Sequence, residues 1–231
     1  MSNPIRVVAL RRFPLKSVLG ELRDVVDVEV RGVVGDRTWS VRTASGKIAS
    51  GKNTRRFAAV DGMLLLRAEE HDGRVEITFP DGTRRAVDEA ATTEALSRHL
   101  GHPVTIARET DVSHFDDGPV SIVGSASVEA LGRERDQEVD PARFRPNIVV
   151  HTDEPFIEDA WIGRRLTIGT AVLRVEARSP RCVMIDMRTA DLPAQHGNLT
   201  SIGRLNEACL GVIASVEVPG RIEIGDLVRL D

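Results

Sequence analysis

A cysteine flanked by arginines lies near the end of a patterned stretch, Arg178-Ser179-Pro180-Arg181-Cys182-Val183-Met184. The run before it, Ala171 to Ala177, alternates apolar and polar residues as a half-buried strand does. Pro180 has no N–H to give to a sheet ladder, so the strand is predicted to break or to run along an edge there, leaving Cys182 just past its end. Guanidinium groups beside a thiol, here Arg178 and Arg181, favour the thiolate, the form that ligates soft metals or attacks sulfur. A free cysteine is also commonly just a small buried hydrophobe, the reading given to Cys209. For Cys182 the choice depends on what else the chain brings.

Other stretches carry groups suited to an anion. Arg12-Phe13-Pro14-Leu15-Lys16-Ser17 offers an ammonium and a hydroxyl after a proline that ends a strand, and Gly35-Asp36-Arg37 presents a guanidinium at a turn. Together Lys16, Ser17 and Arg37 can hold a phosphate; taken singly, each also fits a surface lysine, a turn serine and an arginine paired with Asp36. Ser125 and Ser127 precede a helix expected near Val128, as caps or as part of an anion site at its N-terminus. Arg145 stands before Pro146 and is predicted to be extended, which puts it on one strand face with Asn147, facing an anionic, amide-bearing ligand. Arg143 and Arg145 can equally pair with the acidic run upstream. Lys47, Lys52, Arg55 and Arg56 read as a solvated basic loop.

The elements that must position these groups are mostly strands. Ile5–Leu10, Val25–Val30, Thr38–Arg42, Met63–Arg67 and Arg74–Phe79 are β-branched or apolar, with turn signals at Gly35-Asp36, Ser45-Gly46, Asp72-Gly73 and Asp81-Gly82. Asp72-Gly73 and Asp81-Gly82 have the residues that two-residue hairpin turns need. A helix is predicted over Asp88–Leu100, stopped by Gly101 and Pro103. A linker or crossing strand follows to Gly118. Past that boundary come an apolar strand at 119–123, a short helix within 199–210 and a closing hairpin over 219–230. The division expected is residues 1–88, 89–118 and 119–231.

Composition narrows the function. The chain has 231 residues, no tyrosine and 3% aromatics, which leaves few platforms for stacking single-stranded nucleic acid. A net charge of −4 argues against a general binder of phosphate backbones. Two cysteines give neither a disulfide framework nor a CxxC pair, as expected of a reducing cytoplasm. No apolar run reaches the ~18 residues of a membrane span, and the N-terminus lacks the apolar stretch of a signal peptide. A soluble cytoplasmic protein is expected.

The motifs fall in an order that resembles the MOSC-domain family, named for the C-terminal domain of molybdenum cofactor sulfurase. FPLKSVLG and VGDRTW resemble its N-terminal β-barrel; SASVEAL, RFRPNIVV, PFIEDAW, SPRC and PGRIEIGD resemble its C-terminal domain. The resemblance implies a mainly β (α+β) fold, a small N-terminal β-barrel packed on a larger MOSC β-barrel with a few helices. The branch most similar contains the mitochondrial amidoxime-reducing component and its bacterial relatives. It implies molybdenum cofactor (Mo-molybdopterin), with Cys182 as metal ligand and Asp186 organising the site. Lys16, Ser17 and Arg37 would hold the phosphate, and Arg145, Asn147, Ser125, Ser127 and Arg181 would complete the cofactor site. The activity implied is reduction of N-hydroxylated or related N–O and S–O substrates. No four-cysteine ferredoxin segment follows, so electrons would come from a separate flavin, cytochrome or iron–sulfur protein. The alternative is a sulfur carrier or cofactor-handling protein with a persulfide on Cys182. Val183-Met184-Ile185-Asp186-Met187 departs from that branch just where a substrate pocket is expected.

Overall fold

The computed structural model describes residues 3–231. Its elements run β1 (Arg6–Arg12), β2 (Glu21–Arg23), β3 (Val25–Glu29), β4 (Gly32–Val33), β5 (Trp39–Thr43), β6 (Ile48–Ser50), β7 (Phe57–Ala59), β8 (Arg67–His71), β9 (Arg74–Thr78), β10 (Arg84–Ala86) and α1 (Ala90–Leu100). The order continues with β11 (Val104–Arg108), β12 (Val120–Gly124), α2 (Ser125–Arg135), β13 (Ile148–His151), β14 (Arg165–Ile168), β15 (Ala171–Pro180), α3 (Asn198–Asn206), β16 (Cys209–Val218), β17 (Gly220–Glu223) and β18 (Val228–Leu230). The fold is mainly β, as expected, and among the described residues no helix is long and apolar enough to cross a membrane.

One eight-stranded sheet dominates, in the order β18-β14-β15-β16-β12-β13-β1-β2. It curls, because Val7 near one edge exchanges hydrogen bonds with Asp226 and Gly225, just before β18 at the other. Its inward side chains make a dry core of Leu10, Ile122, Ile148, Leu166, Leu173 and Val212, each fully buried. Two smaller sheets, β10-β9-β8 and β11-β5-β6-β7, surround a second core of Leu15, Val41, Leu66, Ile77 and Leu96. The N-terminal segment feeds both bodies: β1 and β2 lie in the large sheet, while β3 pairs with β17 from the far end of the chain. Residues 89–118 hold α1 and β11, and β11 is an edge strand on β5.

Local chemistry explains where the elements fall. Asp72 and Gly73 both have positive φ, as the turn between β8 and β9 requires. At Asp81-Gly82 only the glycine is left-handed, so that turn is longer. The strand expected over Met63–Arg67 is instead a 3₁₀ turn, Met63–Leu65, entered through left-handed Gly62; it buries Met63 and Leu64 side by side, which an alternating strand cannot do. The closing hairpin does not form, because β17 and β18 take β3 and β14 as partners. α3 stops at Asn206 through left-handed Glu207 and Ala208. Cys209 then opens β16, half-buried rather than in the core.

Gly211 in β16 has φ +81°, and a Cβ there would lie 2.4 Å from the Ile122 carbonyl oxygen of the neighbouring strand. Gly203, exposed on α3, has open space around it. Gly211→Ala is expected to lower the unfolding free energy by more than about 1 kcal/mol. Gly203→Ala should raise it by up to about 1 kcal/mol, both measured by urea unfolding.

Candidate functional site

Two loops from the N-terminal half form one wall of the site. After β1, the turn at Pro14 is stitched to the loop before β5: Lys16 N–H donates to Trp39 O at 2.8 Å, and Arg37 N–H to Phe13 O at 2.6 Å. Phe13 N–H in turn donates to the buried Asp36 carboxylate at 2.7 Å. Ser17 and Arg37 both take left-handed backbone conformations, φ 67° and 53°, which turn their side chains off the strand directions. The facing wall comes from a 3₁₀ turn, Pro141–Phe144, capped by Asp140, whose carboxylate accepts from Ala142 N–H at 2.7 Å. Arg145 ends that turn. It is left-handed, not extended: the capped turn, closed by Arg145 N–H to Ala142 O at 3.0 Å, overrides the preference of a residue before proline. The Arg37 and Arg145 guanidiniums both lie over the Phe13 ring, 4.7 and 4.4 Å from its centre.

As predicted, β15 ends at Pro180 and Cys182 sits just beyond it, half-buried at the start of a 3₁₀ turn, Val183–Asp186. These pieces enclose a cavity of about 110 Å³ whose lining includes Lys16, Ser17, Arg37, Arg145, Arg181 and Cys182. Six of the predicted site residues therefore share one space. Ser17 Oγ and Arg145 Nη2 are buried there without any hydrogen-bond partner. Burial lowers the Lys16 pKa to about 8 against the pull of Asp116, and Arg37 and Arg145 push it the same way. Burial, then Arg37, also lowers the pKa of Arg145, which stays charged at neutral pH because a guanidinium starts above 12.

The anionic counterpart is Asp116, whose carboxylate bonds both Lys16 and Lys52, the latter at 2.8 Å. Burial alone would raise its pKa, but those two ammonium groups hold the carboxyl well below the usual range. The sequence pattern suggests a solvated loop for Lys52 and a polar linker for Asp116; instead both line the cavity, with Phe115, Ser121 and Arg143. The only hint in the sequence is that a lysine beside glycine and an Asp pair beside glycine recur at turns. Their meeting across 64 positions is a matter of topology.

Four predicted residues lie outside the cavity lining. α2 begins at Ser125, so neither serine caps it. Ser127 Oγ donates to the buried Glu158 carboxyl group at 2.8 Å, which also accepts from Gly124 N–H, so the helix N-terminus is occupied by the protein's own side chain, whose pKa burial raises. Ser125 Oγ accepts from Thr152 N–H. Asn147 is spent on Ser121 and on Arg11 O, and supports the wall from behind. Asp186 accepts from Gly197 and Leu199 N–H at the start of α3, so it positions the turn after Cys182 rather than facing the cavity. Arg178 turns away to Asp159 and Glu207. Arg181 reaches the lining but donates to the Leu210 and Phe144 carbonyls, bracing the cysteine loop.

Comparison with known proteins gives this geometry a context. The MOSC domain matches residues 97–229, and the MOSC N-terminal beta barrel domain matches residues 4–115. Mitochondrial amidoxime reducing component 2 of Bos taurus is 25% identical, over 94% of this chain and 80% of its own length. Molybdenum cofactor sulfurase of Caenorhabditis elegans is 36% identical over 78% of this chain, which spans only 28% of that protein. The crystal structure of the YuaD protein from Bacillus subtilis superposes with TM-score 0.54 at 15% identity, covering 100% of this chain and 97% of that one, a likeness of fold. The chain belongs to the MOSC-domain family and carries its N-terminal β-barrel.

Proposed function

We propose that the chain binds molybdenum cofactor and acts as an oxidoreductase on N-hydroxylated or related N–O and S–O compounds, with Cys182 as the protein ligand of the metal. One observation carries this reading. The cavity that Cys182 lines also holds a buried cationic cluster with two polar atoms, Ser17 Oγ and Arg145 Nη2, that lack acceptors. A phosphate supplies acceptors to both. Among the described residues no group of three or more His, Cys, Asp or Glu side chains can hold a metal ion. A metal at Cys182 must therefore bring further ligands, which a pterin dithiolene does, and a thiolate suits such a soft site.

When bound, the cofactor supplies the two-electron chemistry, and the chain supplies orientation and electrostatics. Arg37 and Arg145, each held against the Phe13 ring, present fixed donors to a phosphate. Lys16 adds a point charge at Nζ, which the anion keeps protonated. Arg181 and Asp186 fix the loop on which Cys182 stands. Electrons come from a separate electron-transfer protein in this reading.

Three outcomes test it. Protein made in a cofactor-competent host should carry near-stoichiometric molybdenum and pterin, lost in Cys182→Ser with unchanged circular dichroism. Metal retained in the variant rules out the ligation, and metal-free protein with a reducible persulfide on Cys182 favours the sulfur carrier. Calorimetry of inorganic phosphate binding to the metal-free protein should show affinity falling as pH rises through about 8, where Lys16 loses its proton. From that value up to the ordinary lysine pKa the unfolded chain holds a proton the folded chain has released, so the Lys16 contribution to stability rises with pH there. Arg145→Lys should weaken phosphate binding about ten- to a hundredfold, the worth of one charged hydrogen bond at ~1.5–3 kcal/mol.

A further inference from the structure

The turn after Cys182 meets the N-terminal half at Gly51. A Cβ on Gly51 would lie 2.9 Å from Met184 Cγ, 3.4 Å from its Sδ and 2.9 Å from Met187 Sδ. Ser50 Oγ donates to Met184 Sδ at 3.5 Å. Met184 touches Gly51 on one side and on the other lines the cavity with Cys182 and Lys52. The backbone around it is held: Arg143 Nη1 donates to Met187 O at 3.4 Å, and the Asp186 carboxylate holds the start of α3. The movable part is thus the Met184 side chain, unbranched and adaptable. Gly51 does not adopt the left-handed conformation, so its lack of a Cβ serves the close approach of the methionines rather than the backbone.

We propose that Met184, seated on Gly51, is the specificity gate of the cavity. It restricts access to Cys182 to slim molecules whose reducible N–O or S–O end passes Lys52 while a flat or unbranched apolar remainder lies against the Met184 thioether. The substrate class rests on the oxidoreductase reading; the gate rests on the packing alone.

The gate can be tested on the metal-free full chain. Cys182 is alkylated with N-ethylmaleimide and with the bulkier fluorescein maleimide, and the modified peptides are quantified by mass spectrometry so that Cys209 is counted separately. The wild type should prefer the small reagent. Met184→Ala should reduce that preference about tenfold by speeding the bulky one, the discrimination a few methyl-sized groups provide. Met184→Leu should keep it. Gly51→Ala, whose added methyl displaces only side-chain atoms, should push Met184 toward the cavity, slow both reagents and sharpen the preference. An unchanged ratio in Met184→Ala and Gly51→Ala, both folded by circular dichroism, overturns the gate. A shifted ratio in protein that binds no molybdenum keeps the gate and removes the oxidoreductase reading, so the two fail separately. In loaded protein, Met184→Ala should raise kcat/KM for branched N-hydroxylated substrates relative to slim ones.

Discussion

Arg145 is half-buried beside two other cations, Arg37 and the buried Lys16, and that concentration of poorly solvated positive charge governs the architecture around it. Charges buried together destabilise a fold unless something nearby compensates. Here compensation comes from three sources: Asp36 paired with Arg37, Asp116 paired with Lys16, and the Phe13 ring against which both guanidiniums lie. Each compensating group belongs to a different loop, so neutralising the cluster also fixes where those loops lie. The remaining deficit, a hydroxyl and a guanidinium nitrogen without acceptors, is the complement of an anion.

The loop carrying Asp116 has no regular structure of its own, yet polar contacts hold it. His114 is buried, with Nδ1 3.0 Å from Arg37 O and Nε2 3.1 Å from Ser40 Oγ, and burial lowers its pKa toward the neutral form. Its backbone N–H donates to Glu109, which Arg31 grips through two hydrogen bonds at 2.6 and 2.7 Å. A satisfied buried network of this kind gives a loop the definition that a strand gets from its ladder.

Where the sequence proved readable, the controlling physics was local. Pro180 ends a strand because it has no N–H, and Asp72-Gly73 turns because both residues tolerate positive φ; neither needs a distant partner. The same holds for α1, stopped at left-handed Gly101 as expected. Lys16, Ser17 and Arg37 could be grouped because each stands at a turn beside a strand end. Lys52 and Asp116 could not, since their meeting depends on β6 and the loop after β11 being brought together by sheet order. Ser127 was misassigned for the same reason: Glu158, the group it serves, arrives from 31 positions away. β17 and β18 alternate as a hairpin would, and alternation says which face is buried but not which strand lies alongside.

The pairing of β3 with β17 bears on how the protein comes into being. A chain that emerges from the ribosome N-terminus first cannot give residues 25–28 their partners until residues 220–223 have been made. Contacts this far apart in sequence close late and slowly. Lys16 and Arg37 flank that early segment, whereas Cys182 lies in the last quarter of the chain. The two walls of the cavity thus come together only after residues far downstream of the first wall have been made. Whatever ligand the cavity takes can be gripped from both sides only after Cys182, far downstream of Lys16 and Arg37, has left the ribosome.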